Sequence, residues 1–239
     1  AFSDRLPPGF DLLADKFWPG PLTLVVPIVP ASIPSTARAG LSTAGFRVPS
    51  HPMTRQLIAL TGPLVMPSAN VSGRPSATSA EHVEADFGRD FPVLDGGKCP
   101  QGVESTILYW DSGQWAVVRL GAIPADEFAP VLGYIPRIAL SKAAEGNKPL
   151  SPGQMYRHYA PKAKLFLSKT FHPHPERPVI GFRGRQYPKG AAVYLLGAVE
   201  SPKEVAENLY AVLRRLDDEG VQEVWVDVDI PQDGLWMTI

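Results

Sequence analysis

Apolar residues in the first half of the chain come in short runs, separated by turns that are rich in proline, glycine and serine. Runs of this length predict β-strands, and they lie at residues 22–29, 45–48, 64–66, 103–110 and 115–120. Helical patterns lie between them at residues 52–61, 79–87 and 124–132. This mixture predicts an α+β domain with a twisted, partly open sheet.

After residue 161 the pattern becomes that of an α/β protein, with short buried-type strands at residues 165–167, 179–182, 192–196 and 224–228. Between the last two strands an apolar stripe of helical period begins after Ser201-Pro202 and ends at Gly220, which predicts a long helix. We therefore predict a small α/β, Rossmann-like domain with a mostly parallel sheet. The predicted division is a first domain over 1–132, a linker over 133–160, and a C-terminal domain over 161–239.

Composition narrows the class of protein without choosing a function. No apolar run is long enough to span a bilayer and no signal peptide is visible, so we expect a cytoplasmic protein. The single cysteine, Cys99, excludes an internal disulfide framework, and a formal net charge of −1 argues against strong direct binding of nucleic acid. The chain begins without methionine and stops on apolar residues, so we expect a fragment of a longer protein.

The most informative segment is the polar loop at residues 67–79, Pro-Ser-Ala-Asn-Val-Ser-Gly-Arg-Pro-Ser-Ala-Thr-Ser. It follows the predicted buried strand at 64–66 and precedes a helix for which Thr78 and Glu81 form a capping-box pattern. Short donors and acceptors at the start of a helix suit an anionic or nucleotide ligand. An ordinary polar turn remains open as the alternative.

Three further positions carry candidate chemistry. Thr43 and Arg47 are four residues apart on a predicted strand, so both face one side, where the arginine suits a carboxylate or phosphate. Ser105 and Thr106 form a hydroxyl pair at the start of a strand. Arg119 ends an apolar strand, so its charge needs an acidic partner or an anionic ligand. A surface or salt-bridged arginine remains open in each case.

Other architectures are not supported by the sequence. It contains no Walker-type Gly-Lys-Ser/Thr loop and no Gly-x-Gly-x-x-Gly fingerprint. Neither a hydrolase triad nor a zinc spacing can be assembled, and Cys99 has no histidine nearby in sequence that would activate it as a nucleophile. A nucleotide site in this chain would therefore have another construction.

Five motifs in order resemble the YrdC-like family, namely Lys16-Phe-Trp-Pro-Gly-Pro-Leu-Thr-Leu24, Phe46-Arg-Val-Pro49, Pro67-Ser-Ala-Asn-Val-Ser-Gly73, Gly102-Val-Glu-Ser-Thr106 and Arg119-Leu-Gly121. Together with Ser151-Pro-Gly-Gln-Met-Tyr-Arg-His-Tyr-Ala-Pro161 and a following α/β domain, the chain resembles the long, two-domain form of that family, the threonylcarbamoyl-AMP synthases. The resemblance covers nearly the whole chain.

The resemblance implies a nucleotidyltransferase that joins L-threonine, bicarbonate and ATP into threonylcarbamoyl-adenylate and releases pyrophosphate. It implies Mg²⁺ bound with ATP, and a downstream transferase complex that modifies tRNA to threonylcarbamoyladenosine. No covalent intermediate is needed, so no catalytic nucleophile is assigned.

The family's contacts carry over to eight positions of this sequence. Arg47 and Ser105 are similar to contacts to threonine, while the positions similar to contacts to ATP are Thr43, Ser68, Asn70, Thr78, Arg119 and His158. His158 would be supplied by the interdomain loop.

The family's Lys-x-Arg motif belongs upstream of the Phe-Trp-Pro-Gly segment, and this chain starts too late to contain it. We therefore expect an incomplete cleft, and a fragment that is inactive unless the missing segment is supplied. Two alternatives remain open: a YrdC-like module that binds RNA, and a carbamoyl-adenylate-handling domain of the hydrogenase-maturation type. The role of the C-terminal domain, the oligomeric state and the identity of the metal are not readable from the sequence.

Overall fold

Five strands form a mixed sheet in the first part of the molecule, in a computed structural model that describes residues 2–139, 160–171 and 177–239. The strands are β1 (Leu22–Pro27), β2 (Thr43–Phe46), β3 (Thr106–Asp111), β4 (Gln114–Arg119) and β5 (Arg137–Ile138). Their order is β2-β1-β3-β4-β5, with β1 parallel to β3, β4 parallel to β5, and the other two pairs antiparallel.

A second sheet in the C-terminal part contains β6 (Lys164–Ser168), β7 (Val179–Arg183), β8 (Val193–Ala198) and β9 (Glu223–Asp227). Its order is β6-β9-β7-β8, and every pair is parallel. The α-helices of the described residues are α1 (Phe10–Phe17), α2 (Pro52–Thr61), α3 (Ala80–Phe87), α4 (Ala129–Leu132) and α5 (Pro202–Asp218). The predicted mixed α/β class is confirmed, and so is the parallel C-terminal sheet.

The first sheet has a larger and a smaller apolar face because side chains alternate along each strand. Leu22, Leu24 and Val26 of β1 face the larger core, where they pack with α1 and with the buried rings of Trp115 and Phe128. The other face carries a small cluster built from Val25, Ile107 and Val118. Thr23 shares that second face, which leaves a hydroxyl at its edge.

The second sheet is covered by α5, which is the longest helix among the described residues. Val205, Leu213 and Leu216 lie on the buried side of this helix and pack on β-strand residues such as Phe182 and Leu196. The stripe that they form has the helical period that the sequence predicted.

The described residues divide into two compact units: 2–67, 104–139 and 238 in the first, and 68–103, 160–171, 177–237 and 239 in the second. Residues 68–103 thus group with the C-terminal sheet, although the sequence analysis placed them within 1–132. One physical cause of this grouping is that the backbone at Gly102 lies very close to α5. A Cβ at Gly102, whose φ is 64°, would collide with the backbone of Ala206 on that helix. The predicted domain boundaries stay a prediction, and most of the predicted linker, residues 140–159, lies outside the described residues.

Two local predictions were wrong. Leu64, Val65 and Met66 form no strand, and all three are exposed. A strand needs a neighbour to pair with, and no strand of the described residues pairs with this segment. The N-cap of α3 is Ser79 rather than Thr78, because the Thr78 side chain bonds to His82 instead. Among the described residues, no helix is both long and apolar enough to cross a membrane.

Candidate functional site

Two segments of the first unit are held together by buried polar contacts. The Thr106 hydroxyl donates to the carbonyl of Ile123 at 2.6 Å and accepts from the Ile123 N–H at 3.0 Å, while the Ala122 N–H donates to the Glu104 carbonyl. Gly121 lies so close to residues 104–106 that a Cβ would collide with their backbone. The start of β3 is therefore fixed against the chain that leaves β4.

Arg119, the last residue of β4, donates to Ser105 three times: from Nε and Nη2 to the carbonyl oxygen, at 3.0 and 2.8 Å, and from Nη2 to the hydroxyl, at 2.9 Å. Ser105 is 4% exposed, and its hydroxyl shares a 2.8 Å hydrogen bond with the hydroxyl of Thr23. A guanidinium has five N–H donors, so the two on Nη1 have no partner among the described residues. Nor does any described carboxylate form an ion pair with Arg119.

Arg47 directly follows β2 and lies close enough to Arg119 to feel its charge. The β1–β2 register pairs Leu24 with Phe46, and one further step along it puts Arg47 opposite Thr23. Burial, and secondly the positive charge of Arg119, lower the pKa of the Arg47 guanidinium. Two arginine cations thus come within electrostatic reach of each other. Such an arrangement favours an anion between them.

Thr43 and Arg47 lie at opposite ends of β2, although the sequence analysis expected both to address one ligand. Thr43 pairs with Pro27, four residues away from Arg47, and four residues of extended strand span about 13 Å. A carboxylate bound by Arg47 is therefore out of reach of Thr43. The two residues could contact only different parts of a long ligand.

The polar loop of the second unit is organised by Asn70. Its Nδ2 donates to the carbonyls of Val71 and Arg74, at 3.0 and 3.2 Å, and thereby closes the turn between them. The Oδ1 of Asn70 is buried and has no hydrogen-bond partner among the described residues. Ser68 is exposed at the beginning of the loop.

Thr78 is buried at the end of the loop and bonds to His82. The Thr78 N–H donates to Nδ1 of His82 at 3.2 Å, and the Thr78 hydroxyl lies 3.3 Å from the same atom. Because a backbone N–H can only donate, Nδ1 is an acceptor and the imidazole is neutral. Burial, followed by the positive charge of Arg214, lowers the pKa of His82, which agrees with that state.

The predicted site residues thus fall into separate groups. Arg47, Ser105 and Arg119 come together in the first unit, while Ser68, Asn70 and Thr78 share the loop of the second. His158 lies outside the described residues. The sequence analysis missed Thr23, although it belongs to the Trp-Pro-Gly-Pro-Leu-Thr motif and lies half-buried between two fully buried leucines, Leu22 and Leu24.

A mixed sheet with a cationic, hydroxyl-lined edge, joined in sequence to a parallel α/β sheet, defines an anion-binding α/β protein. Residues 1–121 match the family model described as "Telomere recombination", and residues 123–239 match that described as "Threonylcarbamoyl-AMP synthase, C-terminal domain". The chain belongs to the threonylcarbamoyl-AMP synthase family.

Individual relatives agree with this assignment. The threonylcarbamoyl-AMP synthase of Pyrococcus abyssi is 34% identical over 98% of this chain and 72% of its own length. That of Bacillus subtilis is 35% identical over 95% of this chain and 69% of its own length. Among solved structures, the crystal structure of P. abyssi Sua5 complexed with L-threonine superposes with a TM-score of 0.85 and 31% identity, over 99% of this chain and 73% of that one.

Proposed function

We propose that this protein is an L-threonylcarbamoyladenylate synthase, which joins L-threonine, bicarbonate and ATP and releases pyrophosphate. The single observation that carries the proposal is the pairing of Arg47 with Arg119 at a hydroxyl-lined edge where no described carboxylate neutralises either cation. All three substrates of this reaction bring negative charge: the carboxylate of threonine, bicarbonate and the polyphosphate of ATP. The threonine bound in the P. abyssi structure is an amino acid carboxylate of this kind.

In the proposed site Arg47 binds the threonine carboxylate as a two-pronged donor, and Arg119 offers its Nη1 edge to the phosphate side. The hydroxyl pair of Thr23 and Ser105 lies between them. A hydroxyl is one donor and two acceptors. Because one of the two O–H groups is used in the hydrogen bond between them, the pair retains one O–H donor for a carbamate oxygen, and Thr23 is the more exposed of the two.

The reaction needs positioning rather than a protein nucleophile. The threonine amine takes up carbon dioxide from bicarbonate and loses a proton, which gives a carbamate. A carbamate oxygen then attacks the α-phosphorus of ATP, a new P–O bond forms, and the bond to the β-phosphate breaks in line as pyrophosphate leaves. The contribution of Arg47 and Arg119 is to hold the anions close against their mutual repulsion and to neutralise charge that develops on the phosphates.

Mg²⁺ would arrive with ATP, and the described residues offer no preformed cluster of ligands for it. They contain no group of three or more His, Cys, Asp or Glu side chains that could hold a metal, and the contacts of Arg119 at the candidate site involve oxygens of Ser105 alone. Mg²⁺ is usually bound through one or two carboxylates together with substrate phosphates. We derive no step from it.

The loop contacts predicted for ATP belong to the same proposal. Ser68, Asn70 and Thr78 of the loop, together with Thr43 and His158, remain the predicted contacts to the nucleotide. The adenylate would then pass to a transferase complex that modifies tRNA, in the cytoplasm.

The test is pyrophosphate release by the full-length protein, with threonine or bicarbonate omitted in turn. Release that requires both substrates, with threonylcarbamoyl-AMP detected by mass spectrometry, is the expected result. Turnover of ATP that is indifferent to threonine would overturn the proposal. Arg55→Ala, which removes an exposed arginine of α2 in the same unit, is the control for variants of Arg47 and Arg119.

A further inference from the structure

One arginine of the long C-terminal helix is fully committed to the polar loop. Arg214 of α5 is 6% exposed, and each of its five N–H donors has an acceptor. Three of the acceptors are backbone carbonyls, those of Pro75 at 2.7 Å, Ser76 at 3.2 Å and His82 at 3.4 Å. The other two are the carboxylate oxygens of Asp86, at 3.0 and 2.9 Å.

Asp86, on α3, is the second half of this anchor. Its side chain is 0% exposed, and it accepts from Arg214 on both oxygens. It also accepts from Nη1 of Arg74 at 2.6 Å and from the Val71 N–H at 3.1 Å. The hydrogen bonds from Arg214 are the main cause of its lowered pKa, so the carboxylate is charged at neutral pH.

These contacts hold the loop by hydrogen bonds at several points along its length. Val71 and Arg74 are tied to Asp86, and the turn between them is closed by Asn70. The carbonyls of residues 75 and 76 are tied to Arg214. The backbone that carries Asn70 thus has its position set by one ion pair, whose arginine comes from the C-terminal helix.

We propose that Arg214 and Asp86 are positioning residues for the nucleotide, and that α5 of the C-terminal part acts in catalysis by holding the loop at residues 68–78 in its binding geometry. This inference rests on the proposed function, because it assumes that the loop contacts ATP. It assigns the C-terminal part a role in the binding of one substrate and leaves the binding of threonine to Arg47.

The contacts distinguish this role from plain stabilisation. A buried ion pair can often be replaced by apolar residues of similar volume without loss of stability. Such a pair could not, however, accept from the Val71 N–H or donate to the carbonyls of Pro75 and Ser76. A double apolar replacement therefore leaves these backbone groups of the loop without partners, so the loop loses its fixed position and the second unit loses part of its stability. A thermal unfolding scan establishes that the variant is folded before it is titrated.

The experiment compares Arg214→Met/Asp86→Leu with the matched control Arg185→Met/Asp227→Leu. The control removes another arginine–aspartate pair of the same unit, in which Nη1 of Arg185 donates to both carboxylate oxygens of Asp227 and which does not contact the loop. Isothermal titration of the full-length protein measures the Kd of ATP alone and of L-threonine alone. We expect the ATP Kd to weaken about tenfold, as for one lost hydrogen bond, with the threonine Kd unchanged. In the control both Kd values should be unchanged.

Hydrogen exchange supplies a second readout that does not depend on turnover. The Val71 amide should lose protection in the Arg214 double variant and keep it in the control. An unchanged ATP Kd, or equal weakening of both ligands, would overturn the inference. If the double variant does not fold, Arg214→Lys takes its place, since lysine keeps the charge but has three donors for five acceptors. The Val71 amide keeps its acceptor, Asp86, in this variant, so the readout is the ATP Kd alone: the same weakening is expected, and its absence would refute the inference. A wild-type protein that binds ATP but releases no threonine-dependent pyrophosphate would refute the proposed function alone.

Discussion

The isosteric substitution Thr106→Val tests how the site is held together. Thr106 is 0% exposed, and its hydroxyl is the partner of both the N–H and the carbonyl of Ile123. Valine has nearly the same shape but no hydroxyl, so both backbone groups would lose their partner. Each buried unsatisfied group costs about 1–3 kcal/mol, and the added apolar methyl returns about 1 kcal/mol. The expected net loss is about 3 kcal/mol, at the centre of a range of about 1–5 kcal/mol.

Thr106→Ser is the matched control, because it keeps the hydroxyl and removes only a methyl group. A methyl removed from a core costs about 1 kcal/mol. With a urea m-value of about 2 kcal/mol per M, the valine variant should lower the unfolding midpoint by about 1–2 M and the serine variant by about 0.5 M. If the valine variant unfolds at the same midpoint as the serine variant, or later, then the two contacts to Ile123 do not hold the site, and our account of the segment at 119–123 is wrong.

Other perturbations test single contacts. The pKa of His82 is lowered in the folded protein, mainly by burial, so the unfolded state binds more protons between that pKa and about 6.5. Stability should therefore be greatest above pH 6.5 and decline as pH falls through this window, in thermal unfolding measured from pH 8 to 5; His82→Asn should flatten the profile, and an equal slope in both proteins would contradict the assignment. Arg47→Ala should raise the KM for threonine about 10- to 100-fold, the equivalent of a charge-assisted contact, with less effect on ATP, whereas His158→Ala should do the reverse. Equal effects on both substrates, in steady-state pyrophosphate release, would refute these roles. Gly121→Ala should destabilise the first unit by more than about 2 kcal/mol, because the added methyl would overpack against the backbone of residues 104–106. A urea midpoint like that of the wild type would show that Gly121 does not lie as close to this backbone as described.

Local patterns predicted most elements because each has its own period. The strands at Leu22–Pro27 and Val179–Arg183 and the helix at Pro202–Asp218 lie where alternation, apolar runs and a 3.6-residue stripe put them. The apolar run at residues 64–66 failed because a strand depends on a partner, which sequence periodicity does not reveal. The helix at Phe10–Phe17 was not predicted, since it begins at Gly9 without a side-chain cap.

The candidate site could be predicted only where a residue's environment follows from its own strand. Arg119 ends an apolar run, so the sequence alone required a partner for its charge. Thr23 was missed because its importance comes from the hydroxyl of Ser105, which is 82 residues away in sequence. A contact across two strands leaves no mark on either strand's own pattern.

Comparison of two arginines shows what the structure adds. Arg214 and Arg215 are neighbours on α5, yet the first is buried while the Arg215 side chain is 64% exposed and pairs with Glu219. Neither the composition nor the helical stripe distinguishes them. What distinguishes Arg214 is that all five of its donors are used and its charge is cancelled by Asp86. Arg214 therefore contacts only groups of the protein and has no donor left for a ligand.

Arg119 differs from Arg214 because its guanidinium is held in place but its charge is not neutralised. Three hydrogen bonds to uncharged oxygens of Ser105 fix the direction of its guanidinium, but no described carboxylate cancels its charge, and its neighbour Arg47 adds a second positive charge. A half-buried cation that is oriented but not neutralised is costly unless an anion completes it. Arg214 is stabilised by the charge of Asp86. Arg119 can obtain an equivalent negative charge only from outside the described residues. In the proposed site a bound substrate anion would supply it, so affinity for that anion should fall when Arg119 is replaced, whereas replacement of Arg214 should act through the loop.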